Sequence, residues 1–201
     1  AEVPFLRPKE LSGPGVELPT LLQHTLAELK KQGTYPDALV YLAASYPFRR
    51  KGYLDYIVRQ FLTQGLDTLI PVQDEVRSAW FRRENNIEMI TRIKPRHLKD
   101  EHLYISLLGL GCVTLPQFVR EGSVIGRNLG VQPIKDRLSQ LEIRDEGSFA
   151  LAEQLIQRFF KEDEEWKELG AQASEVHSTG GMGLSKLFWV NKDQSSIHLG
   201  S

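Results

Sequence analysis

A helical pattern followed by a strand pattern, twice in succession, constrains the fold of this chain more than any other feature. In residues 18–33 leucines recur at helical spacing and a glycine closes the run, and residues 38–44 carry no charge. The same order returns as a helical stripe in 54–65 and a strand-like run in 66–72. Short uncharged runs are typical of strands buried on both faces. Because strand, helix and strand in succession form a crossover, the sequence predicts an α/β layered fold.

The composition excludes several classes of protein. The 201 residues are 41% hydrophobic and 25% charged, which is ordinary for a globular domain. With 25 Lys and Arg against 26 Asp and Glu, the chain has no basic excess of the kind that nucleic acid or an anionic membrane selects. Cys112 is the only cysteine, which excludes an intrachain disulfide and a cysteine-rich zinc site and fits a cytoplasmic protein. The longest uncharged apolar run, 103–119, is broken by Gly and Pro and predicts no membrane span.

The rest of the chain divides into a predicted domain and a predicted tail. Short polar and aromatic pieces in 74–91 predict small antiparallel strands or a flap. They begin a predicted small mixed subdomain, residues 74–126, within an α/β domain of residues 1–169. Residues 170–201 are rich in Gly and Ser and show little periodicity. They predict a flexible or partner-dependent tail.

The end of the predicted domain combines strands with a helix. Residues 128–134 and 138–143 are predicted as the final strands. Ser148 is predicted to cap a long amphipathic helix that runs to about Leu169. The sheet would therefore be followed by one closing helix.

The loop after the first predicted strand carries the most informative polar side chains. Ser45, Arg49 and Arg50 lie where the chain leaves 38–44 and enters the second helix. In α/β sheets ligands bind beyond the carboxyl ends of strands, where loop amides and helix N-termini favour anions. These residues are therefore candidates to bind a phosphate or a carboxylate. The alternative is that Pro47 turns the chain and that both arginines are solvated.

Several weak motifs, in matching order and spacing, resemble one known family. They are an Arg-Pro pair followed by Leu in 3–11, the strand end in 41–49, and the next strand in 65–69, and the similarity continues through Gly109 to residue 156. In the family an Arg-Pro-x-x-Leu segment precedes a helix, and the next strand ends in Gln-Pro-Thr-Ser-Pro-Leu-Arg. The succession resembles the central part of the acylneuraminate cytidylyltransferases, the CMP-sialic acid synthetase family.

The resemblance implies a fold, a reaction and partners. The fold would be a three-layer Rossmann-like nucleotidyltransferase sheet, and the small subdomain would pair two copies into a homodimer. The reaction would be transfer of a cytidylyl group from CTP to the anomeric hydroxyl of an acidic sugar such as sialic acid, with release of pyrophosphate, for surface glycan synthesis. Such chemistry depends on positioning and on neutralising phosphate charge, for which Mg²⁺ would be the cofactor.

Five site residues are carried over from the family. Arg7 would lie near the nucleotide, and Ser45 and Arg49 would line the catalytic cleft. Arg96 is the nearest match to a sugar-binding arginine, and Glu142 would bind magnesium through its carboxylate. Replacing Arg7 or Arg49 by alanine is expected to weaken nucleotide or sugar binding without unfolding the domain.

The sequence departs from the family at positions that bear on activity. Ala43 stands in place of a strand-end glutamine, and Leu108 in place of an asparagine. In the metal motif Arg144 replaces a second carboxylate and Ser148 replaces a later aspartate. A cation at that position opposes magnesium binding. The alternative to an enzyme is therefore a catalytically degenerate homologue that serves as a binding or assembly subunit.

The triphosphate-binding part of the family bears on the same choice. In the family a loop with Gly and Lys lies before the Arg-Pro segment, and the 201 residues start after that point. If the protein is an enzyme, we expect its native chain to carry this loop in a preceding part.

Overall fold

A seven-stranded mixed sheet flanked by helices forms the core of the protein, in a computed structural model that describes residues 4–13, 15–90, 102–159, 185–190 and 197–200. The α/β class predicted from the sequence is confirmed. The helices are α1 (Leu18–Lys31), α2 (Tyr53–Thr63), α3 (Leu108–Gly111), α4 (Pro116–Arg120) and α5 (Glu146–Phe159), with a 3-10 helix at Lys9–Ser12. The strands are β1 (Ala38–Ala43), β2 (Thr68–Glu75), β3 (Trp80–Arg83), β4 (Asn86–Met89), β5 (Leu103–Ser106), β6 (Cys112–Thr114), β7 (Leu129–Pro133), β8 (Ser185–Val190) and β9 (Ile197–Gly200).

The three strands β1, β2 and β7 run in one direction, which β9 at the far edge of the sheet shares. β7 pairs in parallel with β2 along residues 68–72, whereas β6 pairs antiparallel with the start of β2 on its other side. β1 lies beyond β6 and is antiparallel to it, so β1, β2 and β7 share one direction. β5 pairs with the end of β2, and β8 and β9 extend the sheet beyond β1. The carboxyl ends of the three parallel strands therefore meet at one end of the sheet.

The two faces of the sheet are covered by different helices. Side chains alternate along β1, so Leu39 belongs to one face and Val40 to the other. Leucines of α1 cover the face of Leu39: Leu22, Leu26 and Leu29. Apolar residues of α2 cover the face of Val40: Ile57, Val58 and Phe61. Burying one such side chain contributes about 1.5–3 kcal/mol, so the two helical stripes hold the layers together.

A two-stranded hairpin, β3 and β4, lies apart from the main sheet. All eight of its strand residues are exposed. Its turn contains Glu84, whose φ of 51° is left-handed. Short antiparallel strands were expected in this stretch. Residues 103–106 and 112–114 of the predicted 74–126 subdomain, however, belong to the main sheet as β5 and β6.

The strand predicted at 138–143 is wrong. These residues form a turn and an extended loop, with Leu141 N donating to the Leu138 carbonyl at 3.0 Å. The hydroxyl of Ser139 is buried and donates to the Phe48 carbonyl at 2.8 Å. The alternating polar and apolar residues therefore lie in a loop at the end of the sheet and do not pair with a neighbouring strand.

The residue that caps α5 is Asp145 and not Ser148, as the sequence predicted. The helix begins at Glu146, which places Ser148 inside the first turn. Asp145 Oδ1 accepts from Ser148 N at 2.7 Å, and Ser148 Oγ accepts from Asp145 N at 3.0 Å. The two side chains satisfy each other's main-chain donors, as in a capping box. The predicted helix end near Leu169 lies outside the described residues.

Part of the predicted tail forms strands. Within residues 170–201, β8 pairs antiparallel with β1 over Ala38–Ala43, and β9 pairs with β8. The remainder of 170–201 lies outside the described residues. Among the helices of the described ranges, none is both long and apolar enough to cross a membrane.

Two buried hydroxyls join β2, β6 and the chain that leads to β7. Thr68 and Thr114 are fully buried, and their Oγ1 atoms lie 3.1 Å apart. Each lies within hydrogen-bond distance of the Val124 carbonyl, at 3.1 and 2.7 Å. Thr68 Oγ1 also accepts from Gly126 N at 2.9 Å. This network satisfies main-chain groups that the sheet itself leaves unpaired.

We expect Thr68→Val to lower the free energy of unfolding by about 2 kcal/mol, because the shape is kept while Gly126 N loses its buried acceptor. Urea unfolding followed by far-UV circular dichroism measures the change. Thr63→Val, at an exposed hydroxyl of α2, is the matched control and should change stability little. Equal losses in the two variants would show that the network contributes nothing specific.

Candidate functional site

Three segments come together at the carboxyl end of the sheet. The loop after β1, residues 44–52, and the loop after β7, residues 134–145, both begin there. α3 leads directly into β6 and lies at the same end of the sheet. The reason is that β6 is antiparallel to β1 and β2 and therefore begins where those strands end. This is the end of an α/β sheet at which ligands bind.

Hydrogen bonds tie the loop after β1 to the loop after β7. Ile143 N donates to the Ser45 carbonyl at 2.8 Å, and Ser139 Oγ donates to another carbonyl of the same loop, also at 2.8 Å. On the surface, Arg50 Nε donates to Asp136 Oδ2 at 2.8 Å. The two loops therefore form one structural unit.

Two predicted site residues, Ser45 and Glu142, are brought to the same place although they lie far apart in the sequence. The main-chain bond from Ile143 to Ser45 holds Glu142 next to the loop after β1. Both side chains are half-buried. Their predicted roles, in a catalytic cleft and as a magnesium ligand, stay predictions.

Arg49 is bound by the main chain of two other segments. Its Nε donates to the Leu110 carbonyl at 3.1 Å, and its Nη2 donates to the Gly109 carbonyl at 2.7 Å and to the carbonyl of Ala43. The guanidinium thus links the end of β1 to α3. Of the three nitrogens, Nη1 takes no part in these bonds.

The surroundings of Arg49 indicate a structural contribution. Burial lowers the pKa of its guanidinium, and the ring of Tyr53 packs nearby. Three charge-assisted hydrogen bonds to partly buried carbonyls are strong bonds, and losing them removes the arginine donor from the carbonyls of Gly109 and Leu110. The sequence analysis expected Arg49→Ala to leave the fold intact. The structure leads us to expect that this substitution destabilises the fold. The role of Arg49 in a catalytic cleft stays a prediction.

The carboxylate of Glu142 is held by a neighbouring cation. Arg144 Nε and Nη2 lie 2.6 and 2.5 Å from Glu142 Oε2. Tyr46 interacts with both residues, and its pKa is raised to about 12, first by burial and then by the charge of Glu142. Within the cluster of Tyr46, Glu142 and Arg144, the positive charge of the arginine therefore balances the negative charge of the glutamate.

These residues do not fit a magnesium site. A metal ion would have to displace Arg144 from Glu142, and the arginine would then repel the ion. Within the residues that the structure describes, no group of three or more His, Cys, Asp or Glu side chains could hold a metal ion. Glu142 as a magnesium ligand stays a prediction.

The two remaining predicted residues lie elsewhere. Arg7 Nε donates to Ser12 Oγ at 3.2 Å, in the segment before α1. This segment is fixed to the end of α1, where Gln32 Nε2 donates to the Pro4 carbonyl at 3.0 Å. Arg96 lies outside the described residues. The nucleotide role of Arg7 and the sugar role of Arg96 stay predictions.

Cys112 is a core residue and not a nucleophile. Its side chain is fully buried between the sheet and α1. Burial raises the pKa of the thiol to about 12, which leaves almost no thiolate at neutral pH. This burial agrees with the apolar run of sequence in which the cysteine lies.

A polar groove at the same end of the sheet was missed by the sequence analysis. It has a volume of about 480 Å³ and is lined by the end of β2, the two residues after it and the loop after β7. Its charged lining residues are Asp74, Glu75, Arg77 and Arg137. Their positions at or after the ends of β2 and β7 were the available signal, but no motif marks them.

Glu75 and Arg77 neutralise each other at the rim of this groove. Arg77 donates from its main-chain N and its Nε to Glu75 Oε1, at 2.8 and 2.9 Å, and from Nη2 to Oε2. The arginine lowers the pKa of the Glu75 carboxyl from 4.5 to about 2. Because the carboxyl pKa is lower in the folded chain, its stabilising contribution is present above pH 4.5 and is lost as the pH falls toward 2.

We expect an NMR titration of the Glu75 side-chain carboxyl to give an apparent pKa of about 2. In Arg77→Ala the value should return to near 4.5, because the paired cation is gone. Arg82→Ala, in the hairpin, is the control and should leave the Glu75 titration unchanged. A Glu75 carboxyl that titrates normally in the unaltered chain would contradict the observed pairing.

Comparison with known proteins gives no family assignment. The sequence matches neither the models of known protein families nor any curated protein. The function is therefore argued from the geometry at the carboxyl end of the sheet together with the motif resemblance.

Proposed function

We propose that the chain is part of a cytoplasmic cytidylyltransferase that transfers CMP from CTP to an acidic sugar of the sialic acid type, for surface glycan synthesis. The observation that carries this proposal is the contact between Ser45 and Ile143. Through it, two separate stretches that resemble the family lie side by side at the ligand-binding end of an α/β sheet. A fold of the nucleotidyltransferase type is part of the proposal.

In this proposal the protein acts mainly by positioning. The anomeric oxygen of the sugar forms a bond to the α-phosphorus of CTP while the bond to pyrophosphate breaks, and the hydroxyl proton passes to water. The Ser45 hydroxyl would orient a reacting oxygen, and Arg7 would contact the nucleotide. Arg49 would act as a positioning residue, since its bonds to the Gly109 and Leu110 carbonyls hold the loop that carries Ser45.

One observation favours a second candidate, a degenerate homologue that binds a ligand or assembles with partners without catalysis. Glu142, the one carboxylate retained from the metal motif, is neutralised by Arg144 at 2.5 Å. A carboxylate already paired in this way is a poor ligand for the magnesium ion that would neutralise a triphosphate. The two candidates differ in their need for CTP.

We also propose that the hairpin joins two copies into a homodimer. Cross-strand pairing places Trp80 opposite Met89 and Arg82 opposite Ile87, so that one face carries three large apolar side chains. Trp80, Met89 and Ile87 are 51%, 50% and 68% exposed. Sedimentation velocity should show a dimer for the unaltered chain and a monomer for the double variant Trp80→Asp, Ile87→Asp. Leu6→Asp, at an exposed apolar residue outside the hairpin, is the control and should remain dimeric.

The test of the enzymatic proposal is isothermal titration with CTP and with CMP, with and without Mg²⁺, followed by a pyrophosphate-release assay with N-acetylneuraminic acid. We expect CTP to bind and pyrophosphate to appear only when the sugar is present. Arg7→Ala should weaken CTP binding, whereas Arg127→Ala, an exposed arginine at the other end of the sheet, should not.

Two other results are informative. Failure of both nucleotides to bind the native protein, with the part expected to carry the triphosphate loop, would overturn the enzymatic proposal and favour the degenerate homologue. Binding of CTP without release of pyrophosphate would favour the same alternative, because the ligand site would be retained while the chemistry is lost.

A further inference from the structure

Within the described part of the chain, the polar groove between the end of β2 and the loop after β7 contains one cation with no carboxylate partner. Arg137 is exposed, and its Nη1 donates to the neutral amide oxygen of Gln140 at 3.4 Å. Among the residues described, no Asp or Glu forms an ion pair with Arg137. The other arginine of the groove, Arg77, forms an ion pair with Glu75, and Asp74 lies within hydrogen-bond distance of a histidine.

The loop that carries Arg137 is held in place by main-chain bonds. Ile134 N donates to the Val72 carbonyl at 2.8 Å, which extends the pairing of β7 with β2 into the loop. Gln140 Nε2 donates to the Ile134 carbonyl at 2.5 Å and closes the turn. Arg137 lies on this closed turn, so its backbone is fixed before any ligand arrives. A preorganised cation loses less entropy on binding an anion.

Besides the cation of Arg137, the groove carries hydrogen-bond acceptors. Asp74 Oδ1 and Oδ2 each lie 3.3 Å from His102 Nδ1, and its side chain is 40% exposed to the groove and solvent. Carboxylate and amide groups here, including those of Gln73 and Gln140, accept hydrogen bonds from hydroxyls. A second anionic group of a ligand would be repelled by Asp74. The groove therefore fits a molecule with one carboxylate and several hydroxyls.

We propose that Arg137 binds the carboxylate of an acidic, polyhydroxylated ligand in this groove, while Asp74 and Gln140 bind its hydroxyls. The identification of that ligand with the acidic sugar substrate rests on the proposed function. The groove adjoins the loop of Ser45, because Ser139, two residues after Arg137, donates to the Phe48 carbonyl. A sugar held by Arg137 would thus lie beside the segment proposed to orient the reacting oxygen.

The test measures binding of N-acetylneuraminic acid and of its methyl ester, by NMR or calorimetry, with and without CTP. We expect the acid to bind and the ester, which lacks the charge, to bind more weakly. Arg137→Ala should weaken binding of the acid roughly tenfold or more, as expected for loss of a charge-assisted hydrogen bond. Arg137→Lys, which keeps the charge and loses the planar fork, should lose less.

Arg127→Ala is the matched control. Arg127 is an exposed arginine that precedes β7, whereas Arg137 follows it, so the two lie at opposite ends of one strand. The control should bind the acid as the unaltered chain does, and both variants should unfold at the same urea concentration. Equal binding by Arg137→Ala and the unaltered chain would overturn the inference, as would failure of the unaltered chain to bind the acid.

Failure of the proposed function is recognised separately. If the acid binds through Arg137 but CTP neither binds nor releases pyrophosphate, the groove is supported and cytidylyl transfer is refuted. If pyrophosphate is released and the KM for the acid is the same in Arg137→Ala, the function stands and the inference is overturned.

Discussion

Arg49→Ala is expected to lower the free energy of unfolding by about 4 kcal/mol, which is a large loss for a single side chain. The substitution removes three hydrogen bonds to main-chain carbonyls, at Ala43, Gly109 and Leu110. The Ala43 carbonyl keeps Tyr46 N as a donor at 3.3 Å, whereas the buried residues Gly109 and Leu110 lose the guanidinium as the donor to their carbonyls. Urea unfolding monitored by tryptophan fluorescence gives the loss directly.

Two further variants test the explanation. Arg49→Lys keeps the charge, but a lysine cannot reach three acceptors at once, so most of the stability should still be lost. Arg50→Ala removes the adjacent, exposed arginine and should have little effect, because its pair with Asp136 lies in solvent. Similar stability of Arg49→Ala and Arg50→Ala would contradict a structural role for Arg49.

Gly109→Ala is expected to destabilise the protein by about 3 kcal/mol, because the space beside this glycine is already filled. A Cβ at position 109 would lie 2.5 Å from Ala43 Cβ and 2.9 Å from Tyr46 Cε2. Neither neighbour is the end of a flexible side chain: Ala43 belongs to β1, and Tyr46 is buried. The new methyl group would push α3 away from β1 and stretch the bond between Arg49 and the Gly109 carbonyl.

The matched control is Gly13→Ala. A Cβ there would have no atom within 4 Å, and φ is −75°, which alanine adopts without strain. This variant should be as stable as the unaltered chain or slightly more so, since alanine restricts the unfolded chain. Urea midpoints of the two variants provide the comparison. If Gly109→Ala and Gly13→Ala unfold at the same urea concentration, the close approach of α3 to β1 is not as described.

The layers of the fold could be predicted from the sequence because they depend on periodicity. Helices α1 and α2 and strands β1 and β2 follow from stripes of apolar residues that each element buries by itself. The direction of β6 could not be predicted in this way. A buried strand has the same pattern whichever way it runs, and the direction depends on α3, which is only one turn long.

The candidate site was predicted in part. Ser45 and Glu142 were found through motifs, and the structure brings their segments together. The sequence does not reveal whether an arginine faces solvent or main-chain carbonyls, so the bonds of Arg49 were not anticipated. Arg137 was missed because no motif marks it and because the strand predicted at 138–143 leaves no loop there to line a groove with the end of β2.

The reversed direction of β6 has a consequence for where this chain can accept insertions. β6 starts at the end of the sheet where β1, β2 and β7 stop, so α3 must connect within a few residues to a strand whose register is set on both sides. Added residues there would displace the acceptors of Arg49. The turn of the β3–β4 hairpin at Glu84 has neither constraint and is exposed. A short affinity tag placed there would report on the protein without displacing the acceptors of Arg49.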